Sequence, residues 1–299
     1  ELGEGFNGHI YVADIRDRGR LEFIFIEEKP EVIFHAAAYK HVPLMENNIA
    51  EAVKTNILGT QNLANLAVQF NAERFVMVST DKAVNPTSIM GCTKRIAEIY
   101  VQSLNQAMDT SVSKTVFVTT RFGNVLGSNG SVIPFFKKQI SNGGPITVTH
   151  PEITRYFMTI TEACQLVLEA GAMGKGGEIF IFDMGESIQI VDLAKKMVQL
   201  SGLQLGKDIE IVFTGLRKGE KLFEELLADK ENTLPTHHKK IMIAKVAEYE
   251  FEQVTHSVNE LASMVQKGKA HEEFIREFNK LVPENLIILT KSTQQQLVE

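Results

Sequence analysis

An apolar run that ends abruptly in charged residues constrains the fold of this chain more than any other feature. The run Phe-Val-Met-Val at 75–78 is followed at once by Ser-Thr-Asp-Lys at 79–82. This pattern predicts a buried parallel strand whose carboxyl end opens into a polar crevice. After Pro86 the pattern becomes helical, and Met90 and Lys94, four residues apart, share one helix face. An acid and an amine at a strand tip, with a second amine one helix away, predict an acid/base site.

Strand-like and helix-like patterns alternate along the chain, which predicts an α/β fold with a doubly wound parallel sheet and helices on both faces. Strands are predicted at about 9–13, 31–37, 74–79, 115–121, 178–184 and 209–213. Helices are predicted near 46–70, 88–108, 191–200 and 251–281. From about Ser128 the density of glycine and proline rises, as expected where a smaller and looser domain begins.

Composition excludes several classes of protein. The net charge of −6 and the pI near 5.8 argue against a nucleic-acid binder, which needs a basic face. The only cysteines, Cys92 and Cys164, have no metal-site or disulfide spacing, so we expect no metal and a reducing compartment. No apolar run approaches about 18 residues and no signal peptide is visible. We therefore predict a cytoplasmic protein without membrane contact from this chain.

Six sequence blocks occur in an order that is typical of one enzyme superfamily. They are Asp14-Ile-Arg-Asp17, His35-Ala-Ala-Ala-Tyr-Lys-His-Val-Pro43, Asn56-Ile-Leu-Gly-Thr60, Ser79-Thr-Asp-Lys82, Arg121-Phe-Gly-Asn-Val-Leu-Gly127 and Gly215-Leu-Arg-Lys-Gly-Glu-Lys221. From about Asp14 to about Leu227 the chain resembles the extended short-chain dehydrogenases/reductases, and among them most the UDP-N-acetylglucosamine 4,6-dehydratases of bacterial polysaccharide synthesis. The resemblance implies a Rossmann-like fold, bound NAD, a UDP-sugar substrate and a homodimer or higher homo-oligomer.

The resemblance also implies a division of the chain. Residues 1–127 would form the NAD-binding domain, to which 160–190 can return, 128–285 mainly the UDP-sugar domain, and 286–299 a tail. The segment 3–8 spells G-x-G-x-x-G, but a strand pattern follows it where a helix should, so we predict a loop. The family alignment places Asp14 at the end of the third strand. The first strand–helix–strand unit, and any membrane anchor on the cytoplasmic face, would then lie upstream.

The 4,6-dehydration of a sugar requires a base that removes the proton from the fifth carbon and an acid that protonates the hydroxyl leaving the sixth carbon. By resemblance Asp81 is the acid and Lys82 the base, and burial together with Lys94 should lower the pKa of Lys82. Thr80 would donate its hydroxyl to the oxygen at the fourth carbon. The superfamily's Tyr-x-x-x-Lys motif has Met90 at the tyrosine position here, as in one branch of the family, and Lys94 would bind the nicotinamide ribose.

The remaining candidate residues are binding residues. For the cofactor, the resemblance and the small or polar side chains indicate Asp14, Ile15, Ala36, Ala37, Ala38 and Asn56, together with Lys94. For the substrate, they indicate Lys40, His41, Asn124, Arg155, Arg217 and Glu220. Guanidinium groups suit phosphate oxygens, which gives the two arginines their predicted role.

Two other functions stay open at this point. A UDP-sugar 4-epimerase of the same fold would keep the hydroxyl on the sixth carbon, and would have no use for an acid beside it. A non-catalytic nucleotide-sugar-binding or assembly module is compatible with Met90 at the tyrosine position. Binding of NAD would separate the module from the two enzymes.

Overall fold

The protein, in a computed structural model that describes residues 8–108, 114–225, 233–284 and 287, is organised around a six-stranded sheet. In spatial order its strands are β1 (Val32–His35), β2 (Arg74–Val78), β3 (Val116–Arg121), β8 (Ile179–Phe182), β12 (Ile241–Ala244) and β11 (Thr233–Pro235). The first four run parallel to one another. Strand β12 runs antiparallel to β8, and β11 runs antiparallel to β12. The prediction of a parallel-rich, doubly wound sheet is confirmed.

Helices cover both faces of this sheet because successive side chains of its central strands point in opposite directions. Phe75 and Met77 on β2 join one apolar core, whereas Val76 joins the other. The helices are α1 (Arg18–Glu28), α2 (Val42–Met45), α3 (Ile49–Ala52), α4 (Gly59–Gln69), α5 (Ile89–Ala107), α6 (Val132–Ser141), α7 (Ile160–Met173), α8 (Ile190–Leu200), α9 (Phe251–Gln266) and α10 (His271–Leu281).

A third apolar cluster lies apart from the two sheet faces. It combines α6 and α8 with a two-stranded pair formed by β5 (Ile146–Val148) and β10 (Ile211–Phe213), which run parallel. Two further pairs connect this region to the sheet: β4 (Asn124–Val125) with β7 (Phe157–Met158), and β6 (Thr154–Arg155) with β9 (Ile188–Gln189). The division of the chain into two binding domains stays a prediction, although α7 and β8, between residues 160 and 182, pack with the main sheet.

Two predicted elements differ in the structure. Residues 9–13 form no strand: Ile10 and Val12 are 79% and 91% exposed, and no described strand offers them a hydrogen-bonding partner. The predicted helix 251–281 is two helices, α9 and α10, separated near Gly268, whose φ of +62° suits a helix end. The loop predicted at 3–8 and the tail at 286–299 lie outside the described residues, apart from Gly8 and Ile287.

The two C-terminal helices change the predicted dimer interface. The resemblance implies that helices 46–70 and 88–108 form this interface, with the first dividing its apolar side chains between the sheet and a second copy. In the structure α9 packs on α5 and on the helical segment that precedes α4, so both are covered within one chain. Val53 and Ile57 are at most 1% exposed. The homo-oligomer stays a prediction, but these side chains are already buried and do not supply its interface.

Among the residues that the structure describes, no helix is both long enough and apolar enough to span a membrane.

Candidate active site

The carboxyl ends of β1, β2 and β3 open into one cleft of about 610 Å³. Polar groups are expected at this edge, because ligands of open α/β sheets bind outside the carboxyl ends of the strands. Twelve of the predicted site residues line the cleft: Ala36, Ala38, Lys40, His41, Thr80, Lys82, Met90, Lys94, Asn124, Arg155, Arg217 and Glu220. Asp14, Ile15, Ala37, Asn56 and Asp81 are not among the lining residues.

The strand tip after β2 turns sharply, and this turn brings Asp81 and Lys82 together. Thr80 is extended and its Oγ1 accepts a hydrogen bond from the backbone N–H of Lys82, which caps a single 3-10 turn at Asp81–Ala83. The Thr80 hydroxyl donates to Asp81 Oδ1 at 2.8 Å. Thr80 therefore orients the Asp81 carboxylate in this structure, and its predicted contact with the sugar stays a prediction.

Three oxygen atoms surround the Lys82 amine, one for each proton of an ammonium group. Its Nζ lies 2.8 Å from Asp81 Oδ1, 3.3 Å from Asn124 Oδ1 and 3.3 Å from Glu224 Oε1. An ammonium group offers three donors and no acceptor, so this environment suits the charged form. Burial alone would lower the pKa of Lys82, but the carboxylates of Asp81 and Glu224 more than offset it and raise this pKa above its usual value. The prediction of a lowered pKa for Lys82 is wrong.

Helix α5 brings a second amine to the same cleft. Ser88 caps its first turn by accepting from the backbone N–H of Gly91 at 3.1 Å. Gly91 has no side chain to hinder close packing: a Cβ there would lie 2.2 Å from the carbonyl oxygen of Lys82. Met90 and Lys94, on the first two turns, are only 3% and 4% exposed. The helix therefore packs directly on the turn that carries Lys82.

Lys94 differs from Lys82 in its surroundings. Its Nζ donates to the carbonyl oxygen of Val78 at 2.8 Å, and burial lowers its pKa to about 8, although Glu98 opposes that shift. Burial also acts on the nearby His35, which together with the positive charge of Lys94 lowers the pKa of His35 to about 3. His35 is thus neutral at physiological pH, and Lys94 is the group of this pair that can carry charge.

Asn56 lies in a π-helical segment, Val53–Leu58, and such segments are frequent at functional sites. Its amide is fully used inside the protein: Oδ1 accepts from the N–H of Tyr39 at 2.8 Å, and Nδ2 donates to the Tyr39 carbonyl oxygen and to Thr93 Oγ1. Asn56 is fully buried. It therefore fixes the loop that contains Ala36 and Ala38 against α5. Both polar atoms of the Asn56 side chain are already hydrogen-bonded within the protein, so neither is free for the predicted contact with a cofactor.

The hydrogen bonds from Asn56 to Tyr39 and Thr93, here called the Asn56 clamp, should contribute to the stability of the fold. Asn56→Ala removes three hydrogen bonds at a fully buried position, two to the backbone of Tyr39 and one to Thr93 Oγ1, so the free energy of unfolding should fall by about 1–3 kcal/mol. Urea unfolding followed by circular dichroism measures it. The matched control is Asn48→Ala, because the exposed Asn48 donates only to a nearby carbonyl oxygen on the surface. Equal unfolding free energies for the two variants would contradict the clamp.

Asp14 and Ile15 lie away from the cleft lining. The Asp14 carboxylate pairs with Arg16, at 2.6 Å between Oδ2 and Nη2, and hydrogen bonds from Arg16 lower the pKa of Asp14. Ile15 packs against α4, where a Cβ on Gly59 would lie 2.5 Å from Ile15 Cδ1. Their contacts with adenine stay predictions.

The two arginines predicted to bind phosphate are in different situations. Arg155 is buried, and its guanidinium donates to the carbonyl oxygens of Thr154, Lys221 and Leu222. It also lies within 3.6 Å of Glu220 and 3.5 Å of Glu224. Its side chain therefore braces the segment 220–224 and has few donors left for phosphate. By contrast, the side chain of Arg217 is 59% exposed and pairs only with Glu220 among the described residues.

Sequence reasoning missed Glu224. Its side chain is 3% exposed, lies between Lys82 and Arg155, and lines the cleft. It lies three residues beyond the last block that carried the resemblance, in Leu-Phe-Glu-Glu-Leu at 222–226. An acidic pair inside an apolar run was the available signal. Which of the two carboxylates turns inward depends on tertiary contacts that no local pattern contains.

Comparison with known proteins gives one family and several relatives. A family model described as polysaccharide biosynthesis protein matches residues 4–246. The capsular polysaccharide biosynthesis protein CapD of Staphylococcus aureus is 54% identical over 86% of this chain and 42% of its own length. The chain thus spans less than half of that relative.

Two shorter relatives are covered more fully. A UDP-glucose 4-epimerase of Rickettsia canadensis is 36% identical over 74% of this chain and 62% of its own length. The UDP-N-acetylglucosamine 4,6-dehydratase (inverting) of Campylobacter jejuni is 35% identical over 78% of this chain and 67% of its own length. Relatives of this chain thus carry the names of two different reactions.

Proposed function

The chain belongs to the polysaccharide biosynthesis protein family of extended short-chain dehydrogenases/reductases, and from this premise we propose that it is a lyase that dehydrates a UDP-N-acetylhexosamine. The product would be the UDP-4-keto-6-deoxy sugar for a surface polysaccharide or glycan. UDP-N-acetylglucosamine is the proposed substrate, NAD the proposed cofactor and the cytoplasm the proposed location.

One observation carries the proposal: Lys82, at the tip of β2, lines the same cleft as Met90 and Lys94 and lies against the buried carboxylate of Asp81. Lys82 Nζ lies 2.8 Å from Asp81 Oδ1 and faces the cleft with 22% of its side chain exposed. Two adjacent groups that exchange a proton can act on two adjacent sugar carbons. Removal of water from the fifth and sixth carbons requires such a pair.

The residues present fit the nicotinamide end of a dinucleotide. Ala36 and Ala38 expose only methyl groups at the cleft, so the main chain after β1 is open to close approach. Lys94 Nζ uses one donor on the carbonyl oxygen of Val78, which leaves two for ribose hydroxyls. Ala36, Ala38 and Lys94 would therefore hold NAD, which when bound supplies oxidation and later reduction of the sugar.

The chain's own residues would do the acid/base work. Lys82 would take the proton from the fifth carbon, and Asp81 would give a proton to the hydroxyl that leaves the sixth carbon. Arg217, exposed at the cleft, suits the diphosphate, and Asn124 and Lys40 are further substrate contacts. We do not assign phosphate to Arg155, because its donors hold backbone carbonyl oxygens.

A UDP-sugar 4-epimerase is the second candidate, favoured by the 36% identity with the Rickettsia enzyme. The two reactions differ in their products, because only dehydration turns the sixth carbon into a methyl group. The acid next to Lys82 favours dehydration, since epimerisation needs no proton at the sixth carbon.

Proton NMR of UDP-N-acetylglucosamine incubated with the protein and NAD tests the proposal. We expect a new methyl signal and loss of the signals of the sixth-carbon methylene protons. Appearance of the 4-epimer without a methyl signal would assign the epimerase instead. An unchanged sugar, together with no heat of NAD binding in a calorimetric titration, would indicate a non-catalytic module.

A further inference from the structure

We infer that Glu224 is a positioning residue that acts through Lys82, as a fixed negative charge that makes Lys82 a stronger base. The inference rests on the proposed function for its catalytic meaning, but its electrostatic content is independent of substrate. Glu224 comes from a segment more than 140 residues away in sequence, and its carboxylate lies 3.3 Å from the Nζ of Lys82, whose other carboxylate partner is its chain neighbour Asp81.

The buried carboxylate of Glu224 is held between two cationic side chains. Its Oε1 lies 3.3 Å from Lys82 Nζ and 3.5 Å from Arg155 Nε, so one oxygen bridges two cations. Its Oε2 is buried without a hydrogen-bond partner in the described structure. A buried carboxylate is costly unless cations compensate it, and Lys82 and Arg155 supply that compensation.

Arg155 keeps Glu224 in place. Three backbone carbonyl oxygens fix the Arg155 guanidinium, two of them in the segment that carries Glu224. The charged groups that face Lys82 are therefore Asp81 and Glu224, which favour its ammonium form, and Arg155, which opposes it. Asn124 adds a neutral acceptor.

The two carboxylates have different proton roles. In the resting state Lys82 is an ammonium and Asp81 a carboxylate. The Nζ–H bond toward Asp81 breaks and an O–H bond forms on Oδ1, which leaves Lys82 a neutral amine and Asp81 an acid. Lys82 then takes the proton from the fifth carbon, and Asp81 returns its proton to the departing hydroxyl, which leaves as water. Both groups are back in the resting state, and Glu224 has remained a carboxylate throughout.

The direct test measures the pKa of Lys82 without substrate. Lys82 is exposed enough to react with acetic anhydride, and mass spectrometry of the labelled peptide against pH gives its titration. In Glu224→Gln the pKa of Lys82 should fall by about one unit, since a nearby opposite charge has been removed. Glu225→Gln is the matched control, because Glu225 pairs with Lys221 and Asn85 instead. Glu224→Asp, which keeps the charge, should restore most of the shift.

The second readout is the pH dependence of turnover. The shared proton is lost when pH rises through the pKa of Lys82, so Glu224→Gln should move the alkaline limb down by about one pH unit. Because a weaker base reacts more slowly, kcat should fall roughly 3- to 10-fold with KM little changed.

Two outcomes overturn the inference: the same Lys82 pKa in Glu224→Gln as in Glu225→Gln, or a Glu224→Asp variant that titrates like Glu224→Gln. If the wild-type protein does not dehydrate the sugar, the proposed function fails. Labelling still decides whether Glu224 controls Lys82, so the two failures are distinguishable.

Discussion

Lys82→Ala and Asp81→Asn should each lower turnover by roughly 100-fold or more, the usual effect of losing a general acid or base. Asparagine at 81 keeps an acceptor for Lys82 Nζ but can neither take the proton nor return it. Alanine at 82 removes the amine and leaves Arg155 as the one ion-pair partner of the buried Glu224 carboxylate among the described residues. Methyl-group formation followed by proton NMR measures both variants.

The informative companion is Lys82→Arg. Arginine keeps the positive charge between Asp81 and Glu224 but does not give up its proton. If Lys82 acts only as a cation, this variant should retain most of the activity, and if Lys82 acts as a base, it should be as impaired as alanine. Lys195→Ala, at an exposed ion pair with Asp192, controls for loss of a lysine as such. Near-wild-type turnover in Asp81→Asn or Lys82→Ala would remove that residue from the mechanism.

The fold was predictable from sequence where local pattern and tertiary role agree. The run 75–78 is a buried strand because both faces of its sheet are covered, so every position had to be apolar. The helical spacing after Pro86 placed Met90 and Lys94 on the cleft side of α5 correctly. Residues 9–13 have the same local pattern as a strand, but a strand also requires a neighbour to hydrogen-bond with. No described strand provides one.

The site was predictable only in part, because its electrostatics depend on contacts between distant residues. The sequence suggested that Lys94 would lower the pKa of Lys82, since both amines belong to one crevice. In the structure the nearest charges to Lys82 are carboxylates, one of them on a segment that no spacing rule connects to it. Arg155 likewise matched a phosphate-binding position, yet folding turns its donors toward main-chain carbonyl oxygens. Local patterns identify residue types, but charge states follow from packing.

The second large effect is expected at Lys94. Lys94→Ala removes a charge-assisted contact worth about 1.5–3 kcal/mol, or roughly 10- to 150-fold in affinity for NAD. Met90→Leu conserves volume at a nearly buried position, so it should cost little in binding or turnover. Calorimetric titration with NAD compares the two variants directly.

The affinity for NAD should also depend on pH, because Lys94 loses its charge as pH rises. Burial lowers the pKa of Lys94 to about 8, so its amine is charged below that pH and becomes neutral above it. If the ammonium contacts the ribose, affinity should weaken as pH rises through about 8, and this dependence should disappear in Lys94→Ala. Lys82 stays charged over the same range because its pKa is raised, so it does not produce the effect. If the wild-type protein is inactive and the Met90→Tyr variant turns over, a tyrosine at 90 is essential, and the mechanism based on Asp81 and Lys82 is wrong.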